Sequence, residues 1–372
     1  MSSAAFRILV VVLALLVLGA IAGGIAGGVL HRESKSSAIS PTPTPSSGDR
    51  TPNSSQLSAV SWTDSSNKKH EVVFYQRDGK LWLNQNNDGS ANWTGHNIES
   101  LLLPGTTVPL NPKQDTPLAG VVARATEDPV VYLYYLDADN KIRDIRTTDA
   151  TSNMWVTGEL WNVTHSAVPN TALAALAHYC PAGCLNQNII AFQSNDLAPG
   201  ALWWASGRDW SKKAYLVSAD PASGLGMFRT PQMDEISGKP DDKKMTQARD
   251  PGGIIENVPY AQRLTVADTA GNALGLALAL DRNSGDIKAS FLPMTGQWTV
   301  APKDRANRNL KTRFENEAGS TTENKPDGPP LTAIASSTAG SLYTLSGDSS
   351  HINQYSWSNS GPERFSFSGP VF

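Results

Sequence analysis

Asp144 and Arg146 stand two positions apart in Ile142–Thr147 (IRDIRT). In a β-strand that spacing puts both side chains on one face. A carboxylate beside a guanidinium offers an acceptor and a donor to adjacent hydroxyl groups. Tyr132 and Tyr134 show the same spacing one segment earlier, and aromatic rings pack well against the C–H face of a sugar. The chemistry implied is recognition of a hydroxylated ligand in a shallow cleft. The alternative is internal, with Asp144 pairing to Arg146 or to a neighbouring segment and touching no ligand. Trp82, Trp203 and Trp204 add aromatic surface on comparable strands, with packing between segments as their other reading.

Catalytic chemistry finds less support. A glycosidase or sialidase needs paired carboxylates and an arginine cluster facing one pocket, but the acidic residues here concentrate in turns and insertions. The six His include no H-x-x-x-H pair, which argues against a helical zinc site. There is no G-x-S-x-G for a serine hydrolase. Asp137-Ala138-Asp139-Asn140 could suggest calcium, but it lacks the rest of a ligand loop and reads as a hairpin turn. The sequence thus points to no enzyme, no metal and no cofactor.

The elements that must position these residues form a meander. Leu118–Ala123, Val130–Leu136 and Ile142–Thr147 read as three strands closed by Trp155. A unit of this size cannot bury its own faces, so it predicts copies of itself. Small apolar first strands begin again at Leu57, Ala172, Leu264 and Leu331. In all five units, that from Leu118 included, a second strand, a Gly/Asp/Asn turn, a third strand and an aromatic follow: Trp93, Trp155, Trp210, Trp298 and Phe365. This order, at a period of about sixty residues, predicts an all-β fold, a propeller of about five to six four-stranded blades. An irregular β-sandwich is the alternative. A sixth blade would fall around 213–233, and the polar stretch 304–330 reads as a loop.

The propeller fills residues 57–372. Before it lie a short tail (1–7), an apolar run (8–30) and a Ser/Thr/Pro-rich stretch (31–56). As a helix the run would be about 34 Å long, enough for a hydrocarbon core of about 30 Å. It reads as a membrane signal anchor, with cleavage after Ala20-Ile21-Ala22 as the alternative. The following stretch is too polar for a core and reads as a stalk. Asn53, Asn92 and Asn162 begin N-glycosylation acceptor triplets. Cys180 and Cys184 are the only cysteines, and a local disulfide suits them better than a zinc site. These features predict a single-pass type II membrane glycoprotein with its head in the lumen or outside the cell. A net charge of -3 over 372 residues leaves no basic face for nucleic acid.

The second and third strands carry a resemblance. Phe74-Tyr75-Gln76 with Gly79 and Leu81, Tyr134-Tyr135 with Ile142, and Phe192-Gln193 with Leu202 each lead to a closing Trp. This resembles the fungal fucose-specific lectins, which are six-bladed propellers binding fucose between blades. The resemblance implies an Arg on the second strand, Glu or Gln on the third, and aromatics around the sugar. At the Arg position this chain has Val72, Tyr132 and Ile189; at the Glu position it has Leu83, Asp144, Trp204, Ala289 and Gln354. The resemblance therefore implies a sugar site around Asp144, Arg146, Tyr132, Tyr134 and Trp155. It adds Gln354 as a further acceptor, and makes glycans or glycoproteins the partners. The alternative is a propeller that has lost its sugar sites and serves as a protein-interaction or structural head. No oligomeric state follows from the sequence.

Overall fold

The computed structural model describes residues between Gln56 and Val371: 56–178 and 310–371 with short gaps, 187–194, and the strands of 201–293, mostly as backbone. Residues 8–30, the stalk, Asn53, Cys180, Cys184 and Trp298 lie outside the described residues. Among the described residues no helix is long and apolar enough to cross a membrane.

Blade 1 is β1 (Ser58–Thr63), β2 (Lys69–Arg77), β3 (Lys80–Asn86) and β4 (Thr94–Asn97), antiparallel in that order. Its central hairpin turns at Asp78-Gly79, both at positive φ (52° and 72°). That pairing matches the twist of the flanking strands and explains an Asp-Gly there. Blade 2 repeats the plan with β5 (Ala119–Ala123), β6 (Val130–Leu136), β7 (Ile142–Thr147) and β8 (Trp155–Thr157). The DADNK segment is its hairpin turn: Asp137 accepts from the backbone N–H of Asp139 and Lys141 and from Arg143 Nε at 2.8 Å. Blade 3 is β9 (Ala174–His178), β10 (Gln187–Ser194), β11 (Ala201–Ser206) and β12 (Ser211–Ser218).

The fourth position is reduced to two short ladders. β13 (Gly226–Phe228) pairs with β16 (Thr246–Ala248), and β14 (Gln232–Met233) with β15 (Pro240–Asp241). The region 213–233 expected to hold a whole blade is therefore divided, since β12 completes blade 3. Blade 5 is β17 (Ala261–Asp268), β18 (Leu274–Asp281), β19 (Ile287–Pro293) and β20 (Leu310–Lys311). The polar stretch read as a loop instead forms β20 and the hairpin β21 (Arg313–Glu315) and β22 (Thr321–Glu323). Blade 6 is β23 (Leu331–Ser336), β24 (Ser341–Ser346), β25 (Ile352–Trp357) and β26 (Arg364–Pro370), and β21 pairs parallel to β26 on its outer edge. Phe314 explains the docking of that hairpin: it is buried and stacks on Phe365 at 5.3 Å.

The first strands define the ring. β1 packs on β5, β5 on β9, β9 on β13, β13 on β17, β17 on β23, and β23 back on β1. Six positions close a circle, and the reduced fourth position still supplies an inner strand. The closing aromatics fix each blade to the one before. Trp155 meets Phe74, Trp210 meets Tyr134, and Trp93 meets Tyr343, each edge to face at 5.9 Å. Such pairs contribute beyond the area they bury.

Blades 1 and 6 each take all four core strands from contiguous sequence, so no shared sheet closes the ring. The seam instead buries Leu57, Val73, Tyr75, Ala333, Tyr343 and Leu345 in one apolar cluster. At its centre Glu71 is buried, and its carboxylate accepts from Ser337 Oγ (3.3 Å), Ser341 Oγ (2.7 Å) and Gln354 Nε2 (3.0 Å). Ser61 Oγ accepts from the Ala339 N–H, and Asn84 Nδ2 donates to the Val371 carbonyl. Glu71→Ala would leave three donors facing a void at the closure. It is expected to lower unfolding free energy by about 2 kcal/mol, read as a lower urea midpoint; an unchanged midpoint would show that the apolar contacts alone hold the seam.

Candidate functional site

The same register position recurs at three described blade boundaries, and the residues there differ in kind. Between blades 1 and 2 it is apolar: Val72 and Leu83 from blade 1 and Val131 from blade 2 are all buried. Here Trp155, expected near a sugar, is 2% exposed and belongs to the packing between these blades. Between blades 6 and 1 it is polar but self-satisfied. Gln354 Nε2 donates to Glu71 and also to Ser341 Oγ at 3.1 Å, so the expected acceptor is engaged across the seam. Trp82 lies on the edge of that same cluster, stacked on Tyr75 at 6.4 Å with Arg77 over its ring at 5.6 Å.

Between blades 2 and 3 the polar groups are not used up. Tyr132 stands directly across the ladder from Arg146, and Tyr134 across from Asp144. The two tyrosine rings stack with centroids 6.2 Å apart and planes 5° apart. Tyr134 is fully buried, and its hydroxyl accepts from Asn188 Nδ2 of blade 3 at 2.8 Å. Tyr132 and Arg146 are half-buried. The guanidinium lies 6.0 Å from the Tyr132 ring, and Nη1 reaches the Tyr132 hydroxyl at 3.5 Å. Arg146 Nε is buried with no hydrogen-bond partner, a condition proteins seldom leave standing without a use.

Asp144 shares that strand face but is engaged inside the protein. It is 1% exposed, and Oδ1 accepts from the Leu160 N–H at 3.0 Å. Leu160 belongs to a 3₁₀ turn, Glu159–Asn162, whose early N–H groups need an acceptor. Gly158 makes room for this: a Cβ there would fall 1.8 Å from Asp144 Oδ2. The acceptor expected on the third strand is therefore turned into the protein. The same turn carries Trp161, whose Nε1 donates to the Asp144 carbonyl at 2.8 Å and whose ring lies 5.0 Å below the Arg143 guanidinium.

Two residues that sequence reasoning missed complete the cleft. Asn188 sits on β10 directly before its apolar stretch Ile189–Phe192, and its place next to a blade boundary is not marked by the repeat. Glu159 follows the closing Trp155 on the 3₁₀ turn, outside the repeated strands, and nothing in the periodicity marks it. It is exposed, and Oε2 accepts from Trp210 Nε1 of the next blade at 3.1 Å. Of the other expected residues, Trp203 and Trp204 fall on β11 opposite Phe192 and Ala191, with side chains outside the described residues. Asn92 and Asn162 are both exposed.

The architecture is that of a six-bladed β-propeller. Among solved structures, the fungal lectin of Aleuria aurantia, described as a six-bladed β-propeller with a novel fucose recognition mode, covers 87% of this chain and 97% of its own at TM-score 0.55 and 16% identity. The SapL1 lectin in complex with α-methyl fucoside covers 87% and 99% at TM-score 0.52 and 14% identity. No family model and no curated protein matches the chain. At these identities the likeness establishes the fold.

Burial raises the Asp144 carboxyl from its ordinary 3.8 to about 6, against the opposing bond from Leu160. The folded state thus binds this proton more tightly than the unfolded chain does. Its penalty is fully present above pH 6 and fades as pH falls toward 4. Asp144→Asn, which can still accept from Leu160, is expected to remove that slope and to add on the order of 2–3 kcal/mol at pH 7.5. Parallel denaturation curves across pH 4–8 for the two proteins would contradict the assignment.

Proposed function

We propose that this propeller is a non-catalytic, carbohydrate-binding head, and that its sugar site is the cleft between blades 2 and 3. One observation carries the reading: a half-buried guanidinium presents a buried N–H with no protein partner beside the stacked Tyr132–Tyr134 pair. A sugar supplies what that surface lacks, hydroxyl oxygens for the guanidinium and a C–H face for the half-buried Tyr132 ring. Tyr132 stands at the second-strand position where the resembled lectins have Arg. The facing Arg146 restores a guanidinium to the same place from the adjacent strand. Fucose is the first ligand to try, because the similar solved structures are described with fucose or a fucoside. In this reading residues 8–30 hold the protein in a membrane as a single-pass type II chain, and the stalk carries the head away from it.

A second reading, a structural or protein-interaction head, is favoured by the other two clefts, one filled with apolar side chains and one closed by its own hydrogen bonds. Both readings meet in a propeller with few working sugar sites.

Isothermal titration of the full-length chain in mild detergent with L-fucose, α-methyl fucoside and fucosylated oligosaccharides separates them. Arg146→Met keeps the aliphatic stem over Tyr132 and removes a charged donor worth roughly 1.5–3 kcal/mol. Binding is expected to weaken by about ten- to a hundredfold. Equal affinity in the two proteins would remove this cleft, and no affinity in either for any glycan would leave the structural head.

A further inference from the structure

We infer that Glu159 is the hydroxyl acceptor of this cleft and that, set against Arg146, it makes the site select neutral over acidic sugars; the inference rests on the carbohydrate reading above. The third-strand carboxylate is unavailable, because Asp144 is buried and engaged by Leu160. The short turn that Asp144 caps brings a second carboxylate to the surface one residue before Leu160. One oxygen of Glu159 is fixed by Trp210 Nε1, so the carboxylate is oriented by the next blade instead of trailing in solvent. Its other oxygen has no donor among the described residues.

Glu159 and Arg146 border the same cleft without pairing. The hydrogen bond that Arg146 Nη1 donates to the Tyr132 hydroxyl does most to hold the guanidinium charged, and the two carboxylates, Glu159 and Asp144, add to it. Yet among the described residues no carboxylate oxygen lies within 4.0 Å of an Arg146 nitrogen. Opposite charges that share a cleft but stay apart can be bridged by two neighbouring hydroxyls, one accepting from Arg146 and one donating to Glu159. The stacked Tyr132 and Tyr134 rings supply the wall beside them. A carboxylate- or sulfate-bearing sugar would satisfy Arg146 but would meet the two carboxylates as well. A neutral diol meets both partners without that repulsion.

The test titrates full-length wild type, Glu159→Gln and Glu159→Asp with neutral methyl glycosides, α-methyl fucoside among them, and with glucuronic and N-acetylneuraminic acids. Glutamine keeps an oxygen for Trp210, so thermal unfolding of Glu159→Gln should match wild type. Wild type is expected to prefer the neutral sugars. Glu159→Gln should lose about tenfold or more for them and gain for the acidic ones relative to wild type. Glu159→Asp, which keeps the charge but retracts it by one methylene, should lose neutral binding without that gain. Should Glu159→Gln fold poorly, the aspartate variant alone decides: unchanged neutral affinity overturns the inference. Wild type that binds neutral sugars with Glu159→Gln equal to it in affinity and preference overturns the inference and leaves the lectin reading intact. Absence of any sugar binding by wild type overturns both.

Discussion

The closure between the last blade and the first is the contact on which the ring depends. Every other boundary joins blades that follow each other along the chain, so a connecting segment already holds them near. Gln76 shows this: it bonds Lys113 and Thr116 in the link from blade 1 to blade 2. The seam between blades 6 and 1 must bring together residues about 270 positions apart, as in the Ser341–Glu71 bond, and chain entropy opposes that. The cluster of Tyr75, Tyr343, Leu345 and Val371 supplies apolar burial, and Glu71 supplies directional bonds to three side chains of blade 6. A buried carboxylate with no cation beside it is costly unless its oxygens are occupied. At the seam they are, by groups that exist only when the ring is closed.

That requirement explains why the equivalent clefts have diverged. A polar set placed between blades can satisfy itself, be replaced by apolar packing, or remain available. The seam takes the first course, with Gln354 and Ser341 turned onto Glu71. The boundary of blades 1 and 2 takes the second, with Val72, Leu83 and Val131 filling it. The boundaries of blades 1 and 2 and of blades 6 and 1 leave the indole N–H groups of Trp155 and Trp82 buried without a partner, and between blades 2 and 3 the donor so left is a guanidinium N–H, Arg146 Nε. There Asp144 is engaged by the Leu160 N–H of the 3₁₀ turn, and among the described residues it forms no ion pair with Arg146.

The repeat was legible because it is set by periodicity. Alternating strands, Asp-Gly and Asp-Asn turns and an aromatic closing each unit gave the propeller, and the edge-on pairs Trp155–Phe74 and Trp210–Tyr134 show why the aromatic recurs. The fourth position was misjudged because its strands are only two or three residues long, too short to carry a period. The stretch 310–323 looked like a loop because an outer hairpin exposed on most sides needs only Phe314 as an apolar anchor. Tyr132, Tyr134, Asp144 and Arg146 do come together on paired strands, as their spacing predicted. The direction of Asp144 was not legible, since it depends on Gly158 and a turn after the last strand of the blade. Glu159 and Asn188 were missed because each acts across a blade boundary.

The central claim is that a sugar fills the vacant bond of Arg146. The most direct measurement is the arginine Nε–H spectrum of the full-length chain labelled at arginine, with the Arg146 signal assigned from Arg146→Lys. On titration with the best-binding sugar, the Arg146 Nε–H resonance should shift and its exchange with water should slow, in proportion to occupancy. A saturating sugar that leaves this resonance unmoved while shifting that of Arg77, near the seam, would contradict the account.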